Sequence, residues 1–105
     1  MVKRNYELMF IVTPELDDDG TVALLQSVED YLKEADGEIL TRDDWGVRRL
    51  AYPIQRQREG HYYLLQFTAN SNKVKAFERR ILLAPSILRE MVIQLDEAPR
   101  EEQVA

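Results

Sequence analysis

Four arginines fall within eleven residues, Arg48, Arg49, Arg56 and Arg58, and Tyr52 lies between the two pairs. A guanidinium presents a planar fork of N–H donors that matches phosphate or carboxylate. A tyrosine ring adds a face on which a base can stack, or simply covers the edge of a core. The chemistry on offer is recognition of anions and flat groups, not bond making. The stretch Trp45-Gly46-Val47-Arg48-Arg49-Leu50-Ala51-Tyr52-Pro53-Ile54 also holds the only tryptophan. Neighbouring residues of a strand point to opposite faces, so Arg48 and Arg49 should not do the same job. Either arginine could instead pair with Asp43 or Asp44, a weak surface contact.

Other candidates are poorer. The single histidine, His61, has no nucleophile and orienting acid in evident company, so an enzyme is disfavoured. Asp17-Asp18-Asp19-Gly20 does not follow the spacing of a calcium loop. It suits a helix start, where carboxylates accept free N–H groups and meet the positive end of the dipole. There is no cysteine, hence no disulfide framework or thiolate metal site, which fits a reducing, cytosolic setting. No cofactor, metal or small-molecule substrate is expected. No apolar run approaches the roughly 20 residues that span a bilayer, so no membrane role is expected either. Lys3-Arg4 and the run Lys73, Lys75, Arg79, Arg80 are the remaining basic clusters. The first should emerge at a sheet end within reach of phosphate; the second reads as a solvated helix face.

The formal net charge is −5, from 19 acidic and 14 basic residues in a chain of 105. A stand-alone nucleic-acid binder usually carries a basic excess. An acidic total with local basic patches suits a protein that meets a basic protein and RNA together.

The elements that must position these residues follow from periodicity. Asn5 to Thr13 alternates as a strand, with Tyr6, Leu8, Phe10 and Val12 inward. A helix from the Asp17–Gly20 cap to about Ala35 has Val22, Leu25, Val28, Leu32 and Ala35 inward and Asp36-Gly37 as its stop. Glu38 to Tyr52 is a long second strand; Gly46 marks a bulge, and Pro53 requires a strand end or a sheet edge. A basic loop, Gln55 to Glu59, leads to a third strand, Gly60 to Ala69. Asn70 or Ser71 caps a second helix through about Leu82, with Val74, Phe77 and Ile81 inward. In the fourth strand, Ser86 to Leu95, alternation puts Arg89 with core-facing neighbours such as Met91 and Ile93. The acidic segment 96–105 carries too little apolar surface to order itself and is expected to be a flexible tail.

The resulting βαββαβ order predicts an α+β, ferredoxin-like domain over residues 1–95. Two right-handed crossovers place both helices on one face of a four-stranded antiparallel sheet of order 4-1-3-2. The Trp45–Ile54 strand then lies at an edge, with backbone groups open to a partner. An RNA-recognition motif shares this topology but needs aromatics on strands one and three. Here Glu7, Met9 and Ile11 occupy the first strand's exposed face, and Leu64 and His61 stand where an aromatic and a glycine are required.

Gly46-Val47-Arg48-Arg49-Leu50-Ala51-Tyr52-Pro53-Ile54 closely resembles the Gly-x-Arg-Arg-Leu-Ala-Tyr-Pro-Ile pattern of the bacterial small-subunit ribosomal protein six family. Tyr6-Glu7, Gly60-His61-Tyr62 and Met91-Val92 support the resemblance over roughly residues 4 to 95. Trp45 departs from the smaller apolar residue common in the family. The resemblance implies a structural, non-enzymatic role in the platform of the small ribosomal subunit, in the cytoplasm. It implies two partners, small-subunit ribosomal protein eighteen and the central domain of small-subunit ribosomal RNA. Guided by it, the expected RNA-binding residues are Lys3, Arg4, Arg48, Arg49, Tyr52 and Arg89. The expected protein-partner edge is Trp45, Val47, Arg49, Leu50, Tyr52 and Ile54.

Overall fold

The first strand, β1 (Lys3–Val12), carries its strongest alternation at Tyr6, Leu8, Phe10 and Val12, all buried. It begins earlier than expected because Lys3 and Arg4 already pair with Asn70 and Ala69 across the sheet. In the computed structural model, which describes residues 2–95, β1 is followed by α1 (Asp18–Glu34), β2 (Glu38–Ile54), β3 (Gln57–Asn70), α2 (Val74–Leu82) and β4 (Ile87–Leu95). The expected acidic tail, 96–105, lies outside the described residues.

The four strands form one antiparallel sheet of order β2-β3-β1-β4, the expected 4-1-3-2 read from the other side. One face is covered by the helices, and its core contains Leu8, Phe10, Phe67, Leu32, Val28 and Ile81. Aromatic rings knit this layer: Phe10 stacks on Tyr63 with centroids 5.3 Å apart, and Phe67 meets Phe77 edge-on at 5.4 Å. The other face carries Glu7, Met9 and Ile11 from β1, their partners Gln66, Leu64 and Tyr62 from β3, and Arg89, Met91 and Ile93 from β4.

Helix α1 starts as its acids dictate. Asp17 Oδ1 accepts the Gly20 N–H at 2.7 Å, and Asp18 and Asp19 occupy the first turn. At the other end the Gly37 N–H reaches the Leu32 carbonyl at 2.9 Å and the Asp36 N–H reaches Lys33 at 3.0 Å, a Schellman closure. Asp36 takes the left-handed position at φ 57°. Gly37 is required for another reason: a Cβ there would stand 2.5 Å from the Thr68 carbonyl.

Four sequence expectations need correction. Val22 is 67% exposed and is not part of the α1 core face; it borders an open groove against the sheet instead. Neither Asn70 nor Ser71 caps α2; the cap position is Lys73, without a side-chain bond, and Asn70 Oδ1 instead accepts the Asn72 N–H at 3.0 Å in the turn before it. The segment expected as a basic loop is mostly strand: β2 continues through Pro53 to Ile54, and β3 begins at Gln57. Only Gln55 and Arg56 form the turn, both with positive φ (49° and 67°), as a type I′ hairpin demands. Finally, Arg89, Met91 and Ile93 lie on the open face, because Glu90 and Val92 are the β4 residues level with Phe10 and Leu8 on the helix face.

Candidate functional site

The second strand is the sheet edge that the sequence predicts, and it is irregular. Its register with β3 shifts at Ile39/Thr41, at Asp44/Gly46 and at Arg49/Ile54. At the middle shift Gly46 has φ 76°, and its N–H donates to Asp44 Oδ1 at 2.8 Å, so the expected bulge is present. At the last shift Arg49 pairs with Glu59 and Ile54 with Gln57, so the intervening Leu50–Pro53 segment bows out of the ladder. Pro53 is accommodated there because it has no N–H to lose.

The bowed segment turns over the open face of the sheet. Gly60 makes this possible: a Cβ at that position would lie 2.2 Å from Ile11 Cγ2 and 3.7 Å from Leu50 Cδ2. Leu50 fills the space and is buried, and Ile11 beneath is only 4% exposed although it lies on the face away from the helices. Leu50, expected on a partner edge, is therefore committed to the chain's own interior. Ile54 is half-buried, while Trp45, Val47, Arg49 and Tyr52 are exposed.

Tyr52 extends from the bowed segment to β4. Its hydroxyl accepts a hydrogen bond from the Arg89 guanidinium, which stands 5.9 Å from the tyrosine ring centre. Met9, Ile11, Tyr62, Arg89 and Met91 line a hollow of about 250 Å³ on this face. Met91 and Ile93 beside it are 50% and 43% exposed. A polar ladder runs across the same face, from Thr41 to Gln66 at 3.1 Å and from Gln66 to Glu7 at 3.0 Å.

The two adjacent arginines diverge, as alternation requires. Arg48 is level with Gly60 on the open face; its Nε–H donates to the Trp45 carbonyl at 3.2 Å, and its guanidinium lies 5.5 Å from the Trp45 ring centre. Arg49 faces the other way and borders a hollow with Tyr52, Pro53 and Arg58. Among the described residues neither arginine is in an ion pair, and Asp44 is engaged elsewhere. Asp44 Oδ1 lies 2.5 Å from His61 Nε2, and the imidazole stacks on Tyr63 at 4.4 Å. The bond from His61, with the Gly46 N–H, holds the Asp44 carboxyl below its ordinary value. This arrangement orients the imidazole as part of the fold.

Lys3 and Arg4 are exposed at the end of β1 remote from the hairpin. The structure thus joins Tyr52 to Arg89 over the open face, sets Arg48 on that face against Trp45, leaves Arg49 in a separate hollow with Tyr52 and Arg58, and keeps Lys3 and Arg4 apart. Of the helical cations, Lys73 pairs with Asp36 at 3.0 Å, and Arg80 pairs with Glu34 while stacking on Tyr31 at 4.0 Å. Sequence reasoning missed Met91 and Ile93 as surface residues; the clue was Arg89, whose charge fits the open face better than the core. Among the described residues no three His, Cys, Asp or Glu side chains assemble as a metal site, and no helix is long and apolar enough to cross a membrane.

Comparison with known proteins places this geometry. The family model described as ribosomal protein S6 matches residues 5–94. The small ribosomal subunit protein bS6 of Caldanaerobacter subterraneus subsp. tengcongensis is 34% identical over 94 residues, covering 90% of this chain and 99% of that protein. The bS6 of Lactobacillus johnsonii is 38% identical over 91% of this chain and 99% of its own length. The crystal structure of 30S ribosomal protein S6 from Thermotoga maritima superposes with a TM-score of 0.82 at 26% identity, over 90% of this chain and 89% of that one. With the sheet order and the edge strand in agreement, the chain belongs to the ribosomal protein S6 family of the small ribosomal subunit.

Proposed function

We propose that the chain binds the central domain of small-subunit ribosomal RNA jointly with small-subunit ribosomal protein eighteen, in the cytoplasm, as a structural component without catalysis. The observation that carries this reading is the continuity of the open face. Tyr52 and Arg89 stand beside exposed Met91, Ile93 follows on the same face of β4, and Arg48 lies on that face at the β2 edge, so one surface carries phosphate donors and an apolar patch. RNA alone would leave the apolar patch in water, and a protein alone would not need the unpaired cations. The net charge of −5 favours a basic protein as the second partner and disfavours tight RNA binding by the chain alone. Arg48 serves the shared open face, and Arg49, pointing away, contacts phosphate from the other side of the hairpin.

Filter binding to a central-domain RNA fragment, with and without the basic partner, tests this. The expected result is weak binding by the chain alone and a rise of at least tenfold with the partner. Replacing Arg48 and Arg49 by Ala lowers the joint affinity, with a shallower dependence on salt, and leaves the circular dichroism spectrum intact. Equal RNA affinity with and without the partner overturns the joint reading.

A further inference from the structure

A second groove lies on the helix side of the sheet, between the start of α1 and the middle of β2, away from the open face. It encloses about 430 Å³. Val22 and Val47 form its walls and are 67% and 55% exposed, and Val12 and Tyr63 underlie it. These two valines leave more than half of their surface to solvent, and exposed apolar surface lining a groove is what a partner would cover.

The rim is acidic on both sides. Asp18 stands on the α1 wall and Asp44 on the β2 wall, and among the described residues no lysine or arginine lines the groove. His61 is the lining group, among the described residues, that can carry positive charge, and it is tied to Asp44. Glu15 and Asp19 extend the acidic character along the chain on the α1 side. The space suits one or two side chains rather than a helix, since a helix with its side chains is about 10 Å across.

We infer that this groove docks an extended basic peptide segment of a neighbouring protein, with an aliphatic side chain between the two valines and flanking lysine or arginine side chains on Asp18 and Asp44. The inference goes beyond the RNA reading and does not depend on it. Nucleic acid is the poorer occupant, because its phosphates would meet carboxylates on both walls.

The test is an ¹⁵N-edited titration of the full chain with the peptide Lys-Arg-Ile-Lys-Arg, against Glu-Asp-Ile-Glu-Asp as control. The expected result is saturable shifts at Thr21, Val22, Val47 and His61 with the basic peptide only. Val22→Ser, at an exposed site that does not threaten folding, should weaken binding about tenfold through lost apolar contact. Asp18→Asn should weaken it about twofold, as removal of one solvated charge does. Shifts confined to Met9, Tyr62 and Met91, equal response to the acidic peptide, or unchanged affinity in Val22→Ser each overturn the inference. Stronger shifts in the groove with a single-stranded oligonucleotide than with the peptide overturn it as well.

Discussion

Tyr52 and Arg89 belong to β2 and β4, the two opposite edges of the sheet, yet their side chains are hydrogen-bonded. Two central strands separate them in the ladder. The bond forms because Leu50–Pro53 bows out of register and folds over Gly60, which brings the tyrosine hydroxyl to Arg89 at the rim of the hollow over Ile11 and Tyr62. A closed loop results: edge strand, bowed segment, Tyr52, Arg89, and back through the sheet. Its purpose is positional, since it fixes a guanidinium and a phenol on the face that also carries exposed Met91 and Ile93.

Tyr52→Phe tests this latch. The substitution keeps the ring and removes the acceptor. Both side chains are largely exposed, so the loss in global stability should stay below about 1 kcal/mol. Local opening is the more sensitive readout, because the bowed segment has no ladder bonds of its own to fall back on. Amide exchange is expected to accelerate in Leu50–Gly60 and to remain unchanged in β1 and α1. Uniform exchange across the hairpin in both proteins would show that the tyrosine hydroxyl does not hold the segment.

Glu90 gives the fold a pH dependence. It sits on the helix face of β4, and its Oε2 is buried without a hydrogen-bond partner. Burial, and then the Glu78 carboxylate on α2, push the Glu90 carboxyl from an ordinary 4.5 up to about 7. The folded chain therefore holds a proton that the unfolded chain releases between these values. The associated stability is fully present below pH 4.5 and is lost as pH rises towards and through about 7. Glu90→Gln cannot ionise and should match the parent at pH 4.5 while exceeding it above pH 7. The gain should be roughly 1 kcal/mol, since the site is only partly enclosed and water screens the pair. Urea unfolding at both pH values measures it, and a constant difference between the two proteins would sink the assignment.

Much of this architecture was legible in the chain, and the places where it was not have physical causes. Tyr6, Leu8, Phe10 and Val12 announce a core strand because every second residue is apolar and the sheet buries one face completely. Gly46 and Pro53 announce the irregular edge because each is tolerated only where a ladder bond is missing or bent. In β4 the same alternation misleads. Met91 and Ile93 are apolar although they face outward, and an open face kept apolar for a partner has the same pattern as a core. Only Arg89, two residues before Met91 on the same face, breaks the pattern. The Tyr52–Arg89 bond is 37 residues long in sequence and depends on the space above Gly60. No local pattern encodes it. Nor do Gln55 and Arg56 signal their left-handed backbone, because neither is a residue type that favours it.

That turn supplies the last test. A type I′ hairpin requires positive φ at both central positions, and Asn-Gly is the pair that adopts it at least cost. This chain places Gln55 at φ 49° and Arg56 at φ 67°. A non-glycine side chain there costs roughly 1 kcal/mol or more for each residue. The pair Gln55→Asn with Arg56→Gly should therefore stabilise the domain by about 1 kcal/mol, after the added chain entropy of glycine in the unfolded state is set against the relief of strain. A rise in the urea midpoint at unchanged slope checks this. Strain retained at an exposed hairpin tip carrying Arg56 would have a functional reading if that guanidinium joined the proposed RNA surface. The stabilised variant should accordingly bind the central-domain RNA less tightly in the presence of the basic partner. Its log–log salt dependence should be shallower by about one counterion. Higher stability with unchanged RNA affinity would mean that the turn carries its strain for no purpose in binding.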